Sequence, residues 1–206
     1  MPKVAPAYLE ERRRSIIVAA TRVFSLKGVE AATMADVAEE AGITAGAIYR
    51  YFPGKRELAD CCFSENAAPI LGQWMQEPPH GASPLEDLHQ LAEASYAILN
   101  DPIEHEHTLI NLEVVLKMRR DNDLAGLAEI AAADDQVADG ITRWITAAQE
   151  SGELGADLNP SLLARALMSL YWGARLAKLM NQDADTNGEL GEILKLMNAS
   201  ARLARG

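Results

Sequence analysis

The chain has 206 residues, of which 49% are hydrophobic and only 5% aromatic, a balance that favours helices over sheets. No apolar run approaches the roughly 20 residues that a membrane span needs, and the charged start of the chain is not a secretion signal, so we expect a cytoplasmic protein. The net charge of −11 argues against a nucleic-acid partner until its distribution is considered, because residues 1–58 hold nine Lys/Arg against seven Asp/Glu and the rest hold ten against 23.

Three helices are predicted in the N-terminal segment. Apolar residues at helical spacing indicate a helix over about residues 9–27. A second helix is predicted over 33–42, where Thr33 with Asp36 three residues later comes close to a capping box. A third, short helix is predicted over about 44–54.

The rest of the chain is also predicted to be helical. A long helix starts at Lys55, and Ser-Pro, Asp-Pro and Asn-Pro pairs mark later helix starts. The predicted spans are 55–76, 83 to about 100, 101–120, 124–151, 159–181 and 188–204. With about nine helices and no convincing strand, the fold class is all-α, with residues 1–54 as one domain and 55–206 as another.

Residues 33–49 have the pattern of a helix-turn-helix. Gly42 permits a positive φ angle at the turn, and the small Ala38 lets the two helices approach each other. Ile43 and Ile48 fill the wedge between the helices, and Thr44 is placed to cap the second helix with its N-terminus pointing outward. An ordinary hairpin in a core would satisfy the same pattern about as well.

The residues that follow favour DNA binding over a core hairpin. Residues 48–58 combine Tyr49, Tyr51 and Phe52 with Arg and Lys on a very short helix. Hydroxyls and cations together are the groups that contact a sugar-phosphate backbone.

Residues 12–60 resemble the DNA-binding domain of the TetR family of bacterial repressors. The resemblance rests on Ala19–Ala20, Phe24 and Gly28, on residues 33–37 and 42–44, and on the run from 48 to 58. Further along the chain, the resemblance rests only on the length, the helix count and Gly152–Glu153–Leu154.

The resemblance implies a set of DNA contacts. Thr33 and Lys55 would bind phosphates, Tyr49 would reach the backbone, and the remaining residues would form the leading face of the recognition helix: Thr44, Ala45, Gly46, Ala47, Arg50 and Tyr51. Ala45 departs from the lysine often found there, so Arg50 becomes a candidate base contact, with phosphate contact an equal alternative.

A single helix-turn-helix makes too few contacts for specific affinity, so a homodimer that contacts two half-sites is expected. The last two long helices carry apolar stripes that fit a four-helix dimer interface, although part of each stripe must be internal core. The candidate interface residues are Leu163, Leu167, Leu170, Gly173, Ala174, Ala177, Leu190, Ile193, Leu194 and Met197.

A small-molecule pocket is expected among the middle helices, because large aromatic and methionine side chains line adaptable apolar sites. Core packing is the commoner role for each of these residues taken singly. The candidates are Trp74, Tyr96, Leu99, Leu112, Met118, Trp144, Met168, Tyr171, Trp172 and Arg175.

No cofactor, metal or catalytic site is expected. His105 and His107 are two residues apart and so point to different helix faces, which prevents joint chelation. The adjacent Cys61 and Cys62 are interpreted as reduced thiols on a helix, with a thiol sensor as the alternative. No nucleophile elbow, phosphate loop or zinc motif is present, which disfavours an enzyme.

The sequence therefore predicts a ligand-responsive transcriptional repressor that binds a pseudo-palindromic DNA operator as a homodimer and is released by a small-molecule effector. In this hypothesis the effector displaces the helix that starts at Lys55 and so rotates each recognition helix. Two alternatives remain open, namely a constitutive DNA-binding protein or activator without an effector, and a helical enzyme or adaptor with a chance hairpin.

Overall fold

The computed structural model of the protein describes residues 6–64 and 83–204. These two ranges form nine α-helices and one short 3-10 helix without any strand, so the predicted all-α class is confirmed. No helix within them is long and apolar enough to cross a membrane. The elements are α1 (Pro6–Lys27), α2 (Met34–Glu40), α3 (Ala45–Ile48), α4 (Lys55–Ser64), α5 (Pro84–Ala97), the 3-10 helix (Ile98–Asn100), α6 (Pro102–Arg120), α7 (Leu124–Glu150), α8 (Pro160–Met180) and α9 (Thr186–Ala204).

The helix starts predicted from Ser-Pro and Asn-Pro pairs are confirmed. The Ser83 hydroxyl accepts a hydrogen bond from the Glu86 backbone N–H at 3.2 Å, at the start of α5. The Asn159 side chain accepts one from the Leu162 N–H at 3.0 Å, at the start of α8. In both cases a proline follows the cap, where its missing N–H costs nothing.

The described residues fall into two compact units, one within Met1–Asn66 and Ile103–Arg120, the other within Ala67–Pro102 and Asp121–Gly206. Both α4 and α6 belong to the first unit. Its packing therefore extends beyond the residues 1–54 that the sequence assigns to DNA binding, and the functional boundary at residue 54 stays a prediction. Residues 65–76 of the predicted helix 55–76 lie outside the described residues.

The core of the first unit collects apolar side chains from α1, α2, α4 and α6 and from the α3 region. Phe24, Ile48, Phe52 and Ile110 are all buried in it. The loop after α1 is held to α6 by the Glu113 carboxylate, which accepts a hydrogen bond from the backbone N–H of Val29 at 3.0 Å.

The second unit contains two apolar clusters formed by α5, α7, α8, α9 and the 3-10 helix. Trp144 and Leu154 are buried in one cluster, and Leu99 and Leu190 in the other. The Glu153 carboxylate joins α5 to the loop after α7, because it accepts hydrogen bonds from the Ser83 hydroxyl and the Leu85 N–H at 3.1 and 2.9 Å.

Candidate DNA interface and interior cavity

The angle between α2 and α3 is set by a buried wedge and a tight turn. Val37, Ala38 and Ile48 are fully or almost fully buried between the helices and α1. Gly42 has a φ of +63°, a conformation that costs an L-residue free energy, and the following N–H of Ile43 bonds the Ala38 carbonyl at 2.9 Å. The predicted helix-turn-helix is therefore confirmed in geometry.

The second helix of this motif is shorter than the span predicted from the sequence. It ends at Ile48, and the chain continues through turns in which the Arg50 and Tyr51 N–H groups bond the carbonyls of Ala47 and Ile48. These bonds span three residues instead of four, which tightens the backbone just before Pro53.

One side of the α3 region carries side chains that do not serve the core. We call it the α3 face and define it by the exposed residues Thr44, Ala45, Gly46, Tyr49 and Arg50. The Tyr49 side chain is 55% exposed, although a large aromatic ring is normally at least partly covered. Ala47 and Tyr51 lie half-buried behind this face.

The predicted capping role of Thr44 needs a correction. Thr44 occupies the N-cap position of α3, but its side chain makes no capping hydrogen bond. Only its backbone carbonyl serves the helix, where it accepts from the Ala47 N–H at 2.8 Å. The exposed hydroxyl is therefore not needed to cap α3.

Thr33 and Lys55 make hydrogen bonds within the protein. The sequence did not indicate those of Lys55. The Thr33 hydroxyl donates to the Asp36 carboxylate at 2.8 Å and accepts from the Asp36 N–H at 3.1 Å, which confirms the capping box. The Lys55 ammonium donates to the carbonyls of Glu30 and Ala32 at 2.7 and 3.1 Å. Both residues therefore fix the loop between α1 and α2.

The acidic residues on α2 are paired with cations of α1. Lys27 contacts Asp36 at 2.8 Å, and Arg22 contacts Glu40 at 3.6 Å. The hydrogen bond from Lys27, together with those from Thr33, lowers the pKa of Asp36 to about 2. These contacts offset negative charge close to the α3 face, where it would repel phosphates.

A groove beside the α3 face brings in residues that the sequence analysis did not select. It is lined by Tyr8 and Arg12 of α1 together with Ala47, Arg50 and Tyr51. Arg12 thus lies along the same groove as Arg50. The run of three arginines from Arg12 to Arg14 was the available signal, but helical periodicity alone did not say which of them faces α3.

Arg13 connects three elements of the first unit. Its guanidinium donates a hydrogen bond to the Cys61 Sγ at 3.0 Å and lies over the Phe52 ring, 5.0 Å from the centroid. This contact holds α1 and α4 against the segment that follows α3.

The comparisons with known proteins agree with this geometry. Residues 16–61 match the family described as bacterial regulatory proteins, tetR family. This span contains α2, the turn, α3 and the groove residue Arg50. The N-terminal segment with the helix-turn-helix thus matches the TetR family of bacterial regulatory proteins.

Relatives extend the similarity over most of the chain. The transcriptional repressor KstR2 of Mycolicibacterium smegmatis is 26% identical over 170 residues, which cover 81% of this chain and 79% of the relative. The regulator TtgR of Pseudomonas putida is 53% identical, but over only 49 residues, or 24% of this chain and 23% of the relative. The higher identity to TtgR is thus confined to about a quarter of this chain.

A solved structure shows that the fold is shared well beyond that segment. The fatty acid degradation regulator FadR of Bacillus halodurans superposes with a TM-score of 0.73, covering 95% of this chain and 96% of its own, at 19% identity. Identity this low shows the fold alone.

The second unit contains a half-open cavity of about 140 Å³ between α5, α7, α8 and α9. Apolar side chains make up most of its wall, among them Leu91, Leu167 and Leu194. The polar contributions come from Ser95, Asp134, Arg175 and the two tyrosines Tyr96 and Tyr171. Burial raises the pKa of Asp134, with a further rise from the neighbouring charge of Asp135.

The structure brings together half of the residues predicted to line a pocket. Those at the cavity are Tyr96, Met168, Tyr171, Trp172 and Arg175. Leu99 and Trp144 are buried in the two apolar clusters of the second unit, and neither is part of the cavity wall. Leu112 and Met118 lie on α6 in the first unit, and Trp74 lies outside the described residues.

The residues predicted for the dimer interface are mostly internal to one subunit. Ala174, Leu190 and Met197 are buried within the second unit, so their side chains have almost no exposed area to offer a partner. Four others are packed against its core: Leu163, Leu167, Ile193 and Leu194. Leu170 and Gly173 are exposed, and Ala177 is half-buried.

A neighbouring stripe on α8 is exposed instead. It comprises Leu162, Leu170, Gly173, Leu176 and Met180, which recur at helical spacing. The Met180 side chain is 76% exposed, and on α9 Leu196 is 72% exposed. The apolar residues nearly surround α8, and periodicity did not separate the inner from the outer side. That α8 and α9 form the dimer interface stays a prediction.

His107 on α6 has a local structural role. Glu104 is buried, and its carboxylate lies 3.2 Å from the Nδ1 of His107, one helical turn away. Within the part of the chain that the structure describes, no three His, Cys, Asp or Glu side chains cluster in a way that suits a metal ion.

Proposed function

We propose that the protein binds a pseudo-palindromic DNA operator as a homodimer, through the α3 face, and represses transcription until a small-molecule effector releases it. The proposal is one of regulation by binding, without catalysis. The observation that carries it is the α3 face, where Tyr49 and Arg50 are exposed on a segment whose own backbone is fixed by the buried Ile48 and Phe52.

The size and composition of this face suit a major groove. Thr44, Ala45 and Gly46 are small, so the backbone at the start of α3 can approach base edges or phosphates closely. A Cβ added at Gly46 would meet nothing within 4 Å in the protein, so protein packing does not require glycine at this position. Arg50 supplies the charge, and Arg12 along the same groove adds a second candidate phosphate contact.

The exposed stripe on α8 supports the homodimer part of the proposal. Four large apolar side chains on one face of a surface helix are an unusual exposure unless a partner covers them. Leu176 and Met180, with Leu196 of α9, would form a four-helix bundle with the same helices of a second copy. Two recognition helices would then contact half-sites about one DNA turn, or roughly 34–36 Å, apart.

The cavity in the second unit supports the effector part. A sealed interior would have favoured a constitutive DNA-binding protein, whereas this unit keeps an apolar cavity with a few polar groups. An effector shifts operator affinity only if it binds the DNA-competent and the released forms unequally. Residues 65–76 of the helix predicted to start at Lys55 lie outside the described residues. The proposal therefore does not specify how effector binding would change the DNA-binding unit.

The DNA part is tested by replacing Arg50 and measuring binding to a duplex selected from random-sequence DNA. Arg50→Gln should weaken binding by about 5- to 150-fold. A matched control is Arg165→Gln, since Arg165 is an exposed arginine of the second unit paired with Asp135 at 2.7 Å. Equal affinity of both variants and the unchanged protein would contradict the proposal.

The same experiment decides between the two roles open for Arg50. A base contact predicts relaxed sequence preference at one position of each half-site, whereas a phosphate contact predicts uniform weakening and a salt slope lower by about one per contact.

The dimer part is tested by Leu176→Glu combined with Met180→Glu, which places charges in the proposed interface. Sedimentation should change from dimer to monomer while the helical circular dichroism signal is retained. A matched control is Leu116→Glu, because Leu116 is 52% exposed on α6 of the other unit. Unchanged sedimentation of the double variant would contradict the proposed interface.

A further inference from the structure

We propose that the groove between α1 and the α3 region binds the sugar-phosphate backbone of one DNA strand, and that Arg12 contacts a phosphate there. This inference rests on the DNA binding of the proposed function, and it extends the contact surface from the α3 face to α1. It is carried by the charge of the groove, by a half-buried cation without a partner and by the fixed geometry of the walls.

The groove is positively charged in a strongly acidic protein. Its wall contains Arg12, Arg13 and Arg50 against the single carboxylate of Glu10. The whole chain, in contrast, has 30 acidic side chains against 19 Lys and Arg, and a net charge of −11. A concave surface of positive charge attracts a polyanion, and the acidic remainder of the chain repels one. The charge distribution therefore favours this surface for a nucleic acid.

Arg12 is a half-buried cation without a partner among the described residues. Its guanidinium makes no hydrogen bond or ion pair with them, although the groove covers part of the side chain. Further along α1, Arg22 and Lys27 pair with acids of α2 at 3.6 and 2.8 Å. Removing a guanidinium partly from water costs free energy, and a phosphate oxygen offsets this cost through charge-assisted hydrogen bonds.

Arg13, the neighbour of Arg12, holds the two walls of the groove together. Its guanidinium donates a hydrogen bond to the Cys61 Sγ at 3.0 Å and lies 5.0 Å from the centroid of the Phe52 ring. Phe52 is 2% exposed and follows Arg50 by two residues, so the backbone that carries Arg50 is held against α1. The groove is therefore formed without DNA, and a bound strand does not have to order its walls.

The groove lies beside the α3 face, and Arg50 is the one residue that belongs to both surfaces. A recognition helix in the major groove is flanked by phosphate backbones, so a surface beside it meets a backbone and not base edges. Ala47 and Ile43 supply apolar surface for the sugars. Tyr8 and Tyr51 supply hydroxyl groups, which are common phosphate contacts.

The first test compares two arginines of α1 that are two residues apart. Arg12→Gln should weaken binding to a duplex selected from random-sequence DNA by about 3- to 30-fold. The slope of affinity against salt should fall by about two, one for each subunit of the proposed dimer. Arg14→Gln removes the same charge from an exposed position outside the groove wall, so it should change affinity by less than about twofold. Equal effects of the two substitutions would overturn the inference.

The second test locates the phosphate, with duplexes in which one phosphate at a time is replaced by an uncharged methylphosphonate. The unchanged protein and Arg14→Gln should lose affinity at one phosphate position of each half-site, and this loss should disappear in Arg12→Gln. The base sequence that Arg12→Gln prefers should be unchanged, because a phosphate contact carries no sequence information. A changed preference, or a phosphate scan identical in Arg12→Gln and the unchanged protein, would overturn the inference.

A third variant keeps the inference testable even if Arg12→Gln does not fold. Tyr8 is 55% exposed, so Tyr8→Ala should leave thermal unfolding unchanged. It should weaken binding of every duplex by about 2- to 10-fold, because the groove loses a hydroxyl and part of a wall. Leu26→Ala, at an 83% exposed position of the same helix outside the groove, should not. Equal affinity of these two variants would overturn the inference.

The inference and the proposed function fail in different ways. Specific binding of paired half-sites that is equally strong in Arg12→Gln and Arg14→Gln would support the proposed function and overturn the groove contact. Failure of the unchanged protein to select any duplex would contradict both. An Arg12→Gln variant that binds poly-glutamate more weakly, with unchanged DNA affinity, would assign the groove to an acidic protein segment and overturn the inference.

Discussion

The two compact units use their buried apolar residues differently. In the first unit the wedge between α2 and α3 is filled, and the buried Ile48 and Phe52 hold a surface whose polar groups point outward. In the second unit comparable residues form two clusters with a cavity of about 140 Å³ among the same helices. One unit thus uses a close-packed interior to fix an external surface, and the other leaves a half-open apolar cavity among its helices.

The largest expected effect is the loss of a core ring from the first unit. Phe52→Ala should lower the free energy of unfolding by about 3–5 kcal/mol, because the buried ring leaves a cavity and Arg13 loses its stacking partner. Leu26→Ala on α1 is the control, since Leu26 is 83% exposed and its loss should change stability by less than about 0.5 kcal/mol. Denaturant unfolding measures both, and similar losses would contradict the described core.

Enlarging an alanine separates the filled wedge from the cavity. Ala38→Leu should cost about 1–3 kcal/mol, because Ala38 is 1% exposed between α2 and α3 and an extra isopropyl group overpacks the wedge. Ala92→Leu at the cavity wall should be neutral or add about 0.5–2 kcal/mol by filling space. If both alanines tolerate leucine equally, the contrast between the two interiors is wrong.

Two glycines of the helix-turn-helix separate a role in folding from a role in DNA contact. Gly42→Ala should cost about 1–2 kcal/mol, because alanine is strained at a φ of +63°. Gly46→Ala should leave stability unchanged or raise it by up to about 1 kcal/mol, since its new methyl group meets open space and alanine favours a helix. Weaker DNA binding by a fully stable Gly46→Ala variant would indicate close approach of DNA at this position.

The smallest expected effect concerns the capping box. The pKa of Asp36, lowered to about 2 from an ordinary 3.8, means that the carboxylate stabilises the fold above about pH 4 and loses this contribution as the pH falls toward 2. Asp36→Asn should therefore flatten the dependence of thermal stability on pH in that window. An identical pH profile for the variant would show that the contacts of Asp36 with Lys27 and Thr33 do not stabilise the fold.

The sequence predicted most of the first unit because local signals and tertiary packing agree there. The capping box at Thr33, the glycine at position 42 and the wedge residues Ala38 and Ile48 each have a role that follows from local chemistry. The internal bonds of Lys55 were missed, because the carbonyls that it contacts are 25 and 23 residues away. A contact of that kind depends on the fold and leaves no local pattern.

The second unit was predictable in its helices but not in the use of their faces. The helix starts at Ser83 and Asn159 follow from N-cap side chains and the prolines after them. On α8, by contrast, leucines lie in the core, at the cavity wall and on the surface. Leu167 faces the interior and Leu170 is exposed, although only three residues separate them. Only the positions of α5, α7 and α9 decide which side of α8 is covered.

Binding of the DNA major groove by the α3 face of a dimer is tested by repeated selection of bound duplexes from random-sequence DNA, followed by sequencing. We expect enrichment of two inverted half-sites with centres about 10 base pairs apart, and loss of this enrichment in Arg50→Gln. Enrichment of a single unpaired site, or no enrichment above the input library, would contradict it.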